Sequence, residues 1–347
     1  MSLPRHTAAG PAVGVRVDAG GRMGVGHAVR CLALTQEMRG RGVDVTVYGS
    51  LDVPWVRNGY ERAGVPVESP GKILDATLTH VVIDGYDVPA SLGESLRSNG
   101  IHVTALVDDA FGAHQIADLY VDQNYGAQPH IGGPAGSTAL AGVPYALFRD
   151  EILAARSAEA HAADGVPRVL AVFGGTDPFG ASDLLVPMLL DTGEPLQLLV
   201  LCPDPDRADH LRALPRAAGQ EVEVVASVPD IAAAAAASDL AVSAAGSTVW
   251  ELLTIGTPTA VVCVVDNQEP GYRATTDDGL VLPAGRLPAL AAGDAAERSA
   301  AVAALRRLLT EPELRTSLRV GGMRLFDGRG RARVADAMGV RKPEGSA

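Results

Sequence analysis

Short apolar runs rich in β-branched residues alternate along this chain with stretches long enough for helices, and the alternation starts afresh halfway. The runs at 13–17 (VGVRV), 43–49, 80–85, 102–109 and 119–124 read as strands, with helical sequence at 27–40 and 89–99 between them. The pattern resumes at 168–175 (RVLAVFGG) and continues at 196–202, 221–227, 239–246 and 258–265. Strands separated by helices build parallel sheets, and such sheets bind ligands beyond the carboxyl ends of their strands. Both halves open alike, with a strand, a Gly-rich turn and then a helix. The expectation is an α/β chain of two similar domains facing one another across a cleft. At 347 residues it exceeds the usual size of one core. The polar, Ala-rich stretch 150–167 marks the joint, giving domains 1–155 and 156–347. One or two final helices in 313–339 are free to pack back on the first domain, and the last residues form a frayed tail.

Charge and cysteines narrow the function. A formal charge of -12 argues against nucleic acid or an anionic membrane as main partner. No apolar run is long enough for a membrane span, and the first residues lack the apolar segment of a secretion signal. Cys31, Cys202 and Cys263 lie far apart beside apolar runs, which fits buried free thiols and a cytoplasmic protein. The eight histidines show no metal-ligand spacing, and Asp108, Asp109 and His114 make only a faint cluster, so no metal is expected.

Four stretches carry candidate chemistry. In "GGRMGVGHAVRCLAL" (20–34), His27 stands behind Gly24 and Gly26 at a helix start. Glycines let a ligand approach the backbone, a helix start attracts anions, and a histidine there can exchange protons near neutral pH. A tight turn with an incidental histidine is the alternative. A dinucleotide fingerprint fails, since Val29 replaces its third Gly and no acid closes the second strand. A phosphate loop fails as well, because neither Gly-rich turn carries the Lys-Ser/Thr pair. In "FGGTDP" (173–178), Gly174, Gly175 and Thr176 offer backbone N–H groups to a phosphate, while Asp177 as N-cap with Pro178 at the first helical position explains the same residues as a turn. In "SAAGSTVWELL" (243–253), Gly246, Ser247 and Thr248 suit a phosphate, although Thr248 and Glu251 also match a capping box. In "VVDNQ" (264–268), Asp266, Asn267 and Gln268 end a buried strand with groups suited to a base or sugar.

Eight collinear stretches resemble one family over nearly the whole chain. They are 16–34 (RVDAGGRMGVGHAVRCLAL), 81–86 (VVIDGY), 107–109 (VDD), 121–124 (VDQN), 141–151 (AGVPYALFRDE), 172–178 (VFGGTDP), 244–258 (AAGSTVWELLTIGTP) and 266–268 (DNQ). The family is the UDP-2,4-diacetamido-2,4,6-trideoxy-β-L-altropyranose hydrolase of pseudaminic acid biosynthesis. It is itself similar to the GT-B glycosyltransferases typified by the lipid II N-acetylglucosaminyltransferase.

The resemblance implies two Rossmann-like domains in a GT-B arrangement and no cofactor. It puts the catalytic base on His27, with Asp18, Gly24, Gly26, Arg30, Tyr86 and Arg149 on the substrate side. Gly174, Gly175, Thr176, Gly246, Ser247, Thr248, Glu251, Asp266, Asn267 and Gln268 would hold the nucleotide, with Glu251 on the ribose. Arg30 has a purely structural reading too. The chain departs from the family after 268, where Pro270 and Gly271 stand in place of an Ala-containing helix and predict a rebuilt loop.

The implied activity is inverting hydrolysis of a nucleotide sugar, releasing UDP and a free amino or deoxy sugar. Transfer to a small natural-product acceptor is the alternative, and a non-catalytic nucleotide-sugar binder is a third. A monomer or weak homodimer is expected.

Overall fold

The computed structural model describes residues 11–20, 25–108, 112–156, 165–175 and 177–340. The chain divides into two compact units, one ending at Asp150 and regaining the chain from Gly328, the other running Glu151–Asp327.

The first unit is built on a seven-stranded parallel sheet. Its strands are β1 (Ala12–Arg16), β2 (Asp44–Tyr48), β3 (Val67–Glu68), β4 (His80–Ile83), β5 (His102–Leu106), β6 (Leu119–Asp122) and β7 (Thr138–Ala141), in the order β3-β2-β1-β4-β5-β6-β7. Parallel sheets are covered on both faces, so their strands are apolar on both. On β4, Val82 enters the core cluster shared with the helix Gly26–Gly40, whereas Val81 and Ile83 enter the opposite cluster with Leu96 and Val103. The first cluster is completed from far along the chain by Val334 and Ala335 of the helix Gly330–Ala337. That helix docks through a glycine: a Cβ on Gly330 would lie 2.1 Å from the Ala146 carbonyl oxygen, so no other residue fits without displacement.

The second unit repeats the plan with β8 (Arg168–Val172), β9 (Leu196–Leu201), β10 (Gln220–Val225), β11 (Leu240–Ala244), β12 (Thr259–Cys263) and β13 (Leu282–Arg286). All pairings are parallel, in the order β10-β9-β8-β11-β12-β13. In both sheets the chain winds outward from the first strand, then returns to its other side. The order therefore reverses between β1 and β4, and again between β8 and β11. Crevices beyond the carboxyl ends at such points are where open α/β sheets bind ligands.

Three local expectations differ from what forms. The helix after 173–178 begins at Ala181 behind a left-handed Gly180, so Pro178 lies in the loop. Asp177 still serves that helix from a left-handed backbone (φ 45), accepting from Ala181 N at 2.8 Å and Ser182 N at 3.0 Å. The helix Ser247–Ile255 is capped by the extended Gly246, which leaves Thr248 inside the first turn instead of in a capping box with Glu251. After 266–268 the helix Glu269–Asp277 forms despite Pro270, because Pro occupies its first turn, where a missing N–H costs nothing.

Candidate functional site

In the first unit the switch between β1 and β4 gathers a buried polar cluster. The helix Gly26–Gly40 brings His27 and Arg30, one turn apart, to the carboxyl ends of the strands. Its N-cap, Val25, offers no side-chain acceptor. Asp84 follows β4 directly, its N–H still laddered to the Arg16 carbonyl at 3.0 Å, so the backbone fixes where its carboxylate stands. Asp108 follows β5, and Asn124 follows β6.

His27 Nδ1 lies 2.6 Å from Asp84 Oδ1, both side chains being almost inaccessible. Arg30 donates Nε to Asp84 Oδ2 at 2.6 Å and Nη2 to Oδ1 at 2.7 Å, and Nη1 to Asp108 Oδ1 at 2.5 Å. Burial alone would raise the Asp84 carboxyl, but the Arg30 charge and hydrogen bonds, helped by His27, outweigh it and bring it to about 2. Asp84 is thus a carboxylate at neutral pH, and an oxygen 2.6 Å from Nδ1 requires the proton on that nitrogen. The Arg30 Nη2 atom, 3.1 Å from Nδ1, is then a neighbour directed at Asp84. The basic lone pair falls on Nε2. A histidine held by a buried carboxylate through Nδ1 is the arrangement of a general base, with the carboxylate fixing the tautomer and stabilising the imidazolium.

Tyr86 covers the imidazole, its ring 4.4 Å away and edge-on at 88°. It is 43% exposed, so it forms the outer side of the cluster. Burial and then the Asp108 charge raise its phenol above the ordinary value, which leaves it a neutral donor. Cys31 donates to Asp84 Oδ2 at 3.5 Å, and burial followed by the Asp84 charge pushes its thiol well up, keeping it inert.

The remaining substrate-side residues are placed differently. Asp18 pairs with Arg16 at 2.7 Å and accepts from Ser50 N at 2.8 Å, bonds that tie together the ends of β1 and β2. Arg149 lies over the Trp55 ring, 5.9 Å from its centre. Gly26 opens the helix, and no atom of the described residues beyond its own neighbours lies within 4 Å of where a Cβ would stand. Gly24 lies outside the described residues. Asp84, Asp108 and Asn124 went unassigned as site residues in the sequence, although each directly ends or follows an apolar strand, and a polar residue there is the available signal.

In the second unit the switch between β8 and β11 places two turns together. Gly174 (φ 80) and Gly175 follow β8 and are exposed; Thr176 lies outside the described residues. Gly246 and the exposed Ser247 follow β11, which pairs with β8 through Ser243 and Val172. Ser247 and Glu251 stand one turn apart on one helix face. Thr248 is half-buried beside them. Beyond β12, Asp266–Gln268 forms a turn of 3₁₀ helix with Asp266 and Asn267 exposed. The Gln268 amide oxygen accepts from Val264 N at 3.0 Å, and its nitrogen comes within 3.8 Å of the Cβ position of Gly246. Gln268 thereby links this turn to the helix start. Glu269 anchors the turn's far side: hydrogen bonds from Arg286, then Arg273, hold its carboxyl at about 2. Backbone N–H groups at a glycine turn and at a helix start are groups that suit an anion.

Among the described residues no group of three His, Cys, Asp or Glu side chains is placed to hold a metal ion. No described helix is long and apolar enough to cross a membrane.

No protein-family model matches the chain. It is 23% identical over 338 residues to the spore coat polysaccharide biosynthesis protein SpsG of Bacillus subtilis, covering 93% of this chain and 96% of that protein. Among solved structures it is similar to MurG of Acinetobacter baumannii, with a TM-score of 0.66 at 19% identity over 95% of this chain and 99% of the other. It is also similar to LpCGTa, solved in complex with UDP, with a TM-score of 0.67 at 12% identity over 96% and 99%. The chain therefore has the two parallel-sheet α/β domains of the GT-B fold.

Proposed function

We propose that the chain is an inverting enzyme acting on a nucleotide-activated sugar. The observation that carries this reading is the His27–Asp84 pair, whose 2.6 Å bond leaves Nε2 as a base at the carboxyl ends of a parallel sheet. In the proposed reaction Nε2 takes a proton from the attacking oxygen as that oxygen bonds to the anomeric carbon. The bond from this carbon to the diphosphate breaks on the opposite face, its electron pair leaves with the nucleoside diphosphate, and the configuration inverts. The second unit would hold the diphosphate at Gly174, Gly175, Thr176 and the Gly246–Thr248 helix start, where aligned N–H groups spread the developing charge. Glu251 would accept from ribose hydroxyls, and Asp266–Gln268 would frame the base. UDP is the favoured nucleotide, supported by the UDP held in the similar LpCGTa structure.

Water is the proposed nucleophile, on the collinear resemblance to the UDP-sugar hydrolase. Transfer to a hydroxyl of a small acceptor is the second reading, favoured by structural likeness to a glycotransferase of kitacinnamycin and to the calicheamicin glycosyltransferase CalG4. Incubation with UDP-, dTDP-, ADP- and GDP-sugars without acceptor separates the two. Release of nucleotide with inverted free sugar supports hydrolysis. Consumption that begins only on adding an acceptor overturns it in favour of transfer, and recovery of every donor unchanged with or without acceptors overturns both.

A further inference from the structure

Asp84 does not hold His27 unaided. Its Oδ1 receives two donors, the His27 ring and Arg30 Nη2, and its Oδ2 receives Arg30 Nε. The carboxylate cannot rotate without breaking these bonds. Arg30 has the rigid planar fork that such a grip needs, which a lysine lacks. The guanidinium has its own anchor, because Nη1 is bound by Asp108 from the neighbouring strand. Asp108 is positioned in turn by Asn124 Nδ2 at 2.9 Å, which also bonds Asp122 Oδ1 at 2.9 Å. A chain of polar contacts thus runs across the ends of β4, β5 and β6 and ends on the imidazole. Asp108 makes no contact with the ring, yet it sets the plane of the group that sets the plane of Asp84.

We propose that Arg30 and Asp108 are positioning residues for His27: Asp108 locks the Arg30 guanidinium, Arg30 locks the Asp84 carboxylate, and the imidazole keeps its proton on Nδ1 and its lone pair on Nε2. Ordering a base through partners beyond its direct contact is worth about tenfold to a hundredfold in activity where it has been measured. Among the described residues the charged or titratable groups facing His27 are Asp84, Arg30 and Tyr86, and Asp108 reaches it through Arg30 and through its hydrogen bond with Tyr86. Loss of the Asp108 charge removes support for the imidazolium, so the acidic limb of the kcat profile moves to lower pH.

The kinetic part of this inference rests on His27 being the base; the tautomer part does not. The test uses the full chain labelled with ¹⁵N-histidine, with ring nitrogen shifts of His27 read by NMR without substrate. Asp108→Asn and Arg30→Lys are compared with Asp118→Asn, a control that removes another half-buried carboxylate of the same unit, one paired with Arg97 at 2.9 Å. The expected result is a single Nδ1–H tautomer in the parent and the control, and mixed tautomers in Asp108→Asn. In that variant kcat should fall about tenfold, with KM for the donor within twofold and the acidic limb displaced downward. A folded Asp108→Asn with the parent's His27 shifts and acidic limb overturns the proposal. Should Arg30→Lys fail to fold, Asp108→Asn decides alone. Altered His27 shifts with an unmoved kcat limb would support the positioning role and refute His27 as base, so the two failures are distinct.

Discussion

Replacing Asp84 by Asn tests the centre of the cluster with a change of shape too small to disturb packing. Two magnitudes follow from the structure. The carboxyl is held at about 2 against an ordinary 3.8, a difference that contributes about 2 kcal/mol of stability at neutral pH. Its removal also leaves the almost inaccessible Arg30 guanidinium without the partner that takes two of its hydrogen bonds. Breaking one side of a buried ion pair costs about 3–5 kcal/mol, and this larger figure wins because it includes the stranded charge. Asp84 has a depressed folded value, so its stabilisation is present above 3.8 and is lost as pH falls toward about 2. The gap between parent and Asp84→Asn should therefore be full at pH 7 and visibly smaller at pH 3.

The chain has two tryptophans, Trp55 in the first unit and Trp250 in the second, so a Trp250→Phe background makes urea unfolding of the first unit readable by fluorescence. Activity supplies a second readout. An Asn amide would donate to Nδ1 and move the ring proton to Nε2, lowering kcat on the order of 10³- to 10⁴-fold. A variant within 1 kcal/mol of the parent at both pH values, or one keeping a tenth of the turnover, would refute the reasoning.

Three other perturbations separate packing from binding. Gly330→Ala forces a Cβ against the Ala146 backbone and should cost about 3 kcal/mol, with faster hydrogen exchange over Gly330–Ala337; unchanged protection would count against the close approach. Gly26→Ala meets open space and should leave stability equal or raised by about 0.5 kcal/mol while raising KM for the donor, and an unchanged KM would remove Gly26 from the site. Ser247 is exposed at a helix start, so Ser247→Ala should leave thermal unfolding unchanged and weaken UDP about tenfold by calorimetry, the loss of one hydrogen bond to a charged group. Equal affinity would place the diphosphate elsewhere.

Most of the central strands were legible because a strand buried on both faces must be apolar throughout, as at β4, β8 and β12. Three edge strands escaped: β3 has two residues, β7 is only half-buried, and β13 carries Pro283 and Gly285, which weaken any strand signal. The helix boundaries after 173 and 246 were misplaced because Asp177 and Thr248 match capping chemistry locally, while the helices start behind a left-handed Gly180 and an extended Gly246.

By itself the sequence determined the two α/β halves, the Gly-rich turns and His27 behind the first of them, since these depend on local periodicity and on residues with special backbone freedom. Which side chains meet was decided only by the tertiary structure. Asp84 lies 57 residues from His27, and Asp108 lies 78 from Arg30. Nothing local couples them until the sheet places β4 beside β1 and β5 beside β4. The placing of β8 beside β11, whose ends lead into the Gly174 and Gly246 turns, and the return of Val334 and Ala335 to the first core, have the same origin. Strand order is a property of the whole sheet, and it turns separate polar residues at strand ends into one hydrogen-bonded cluster.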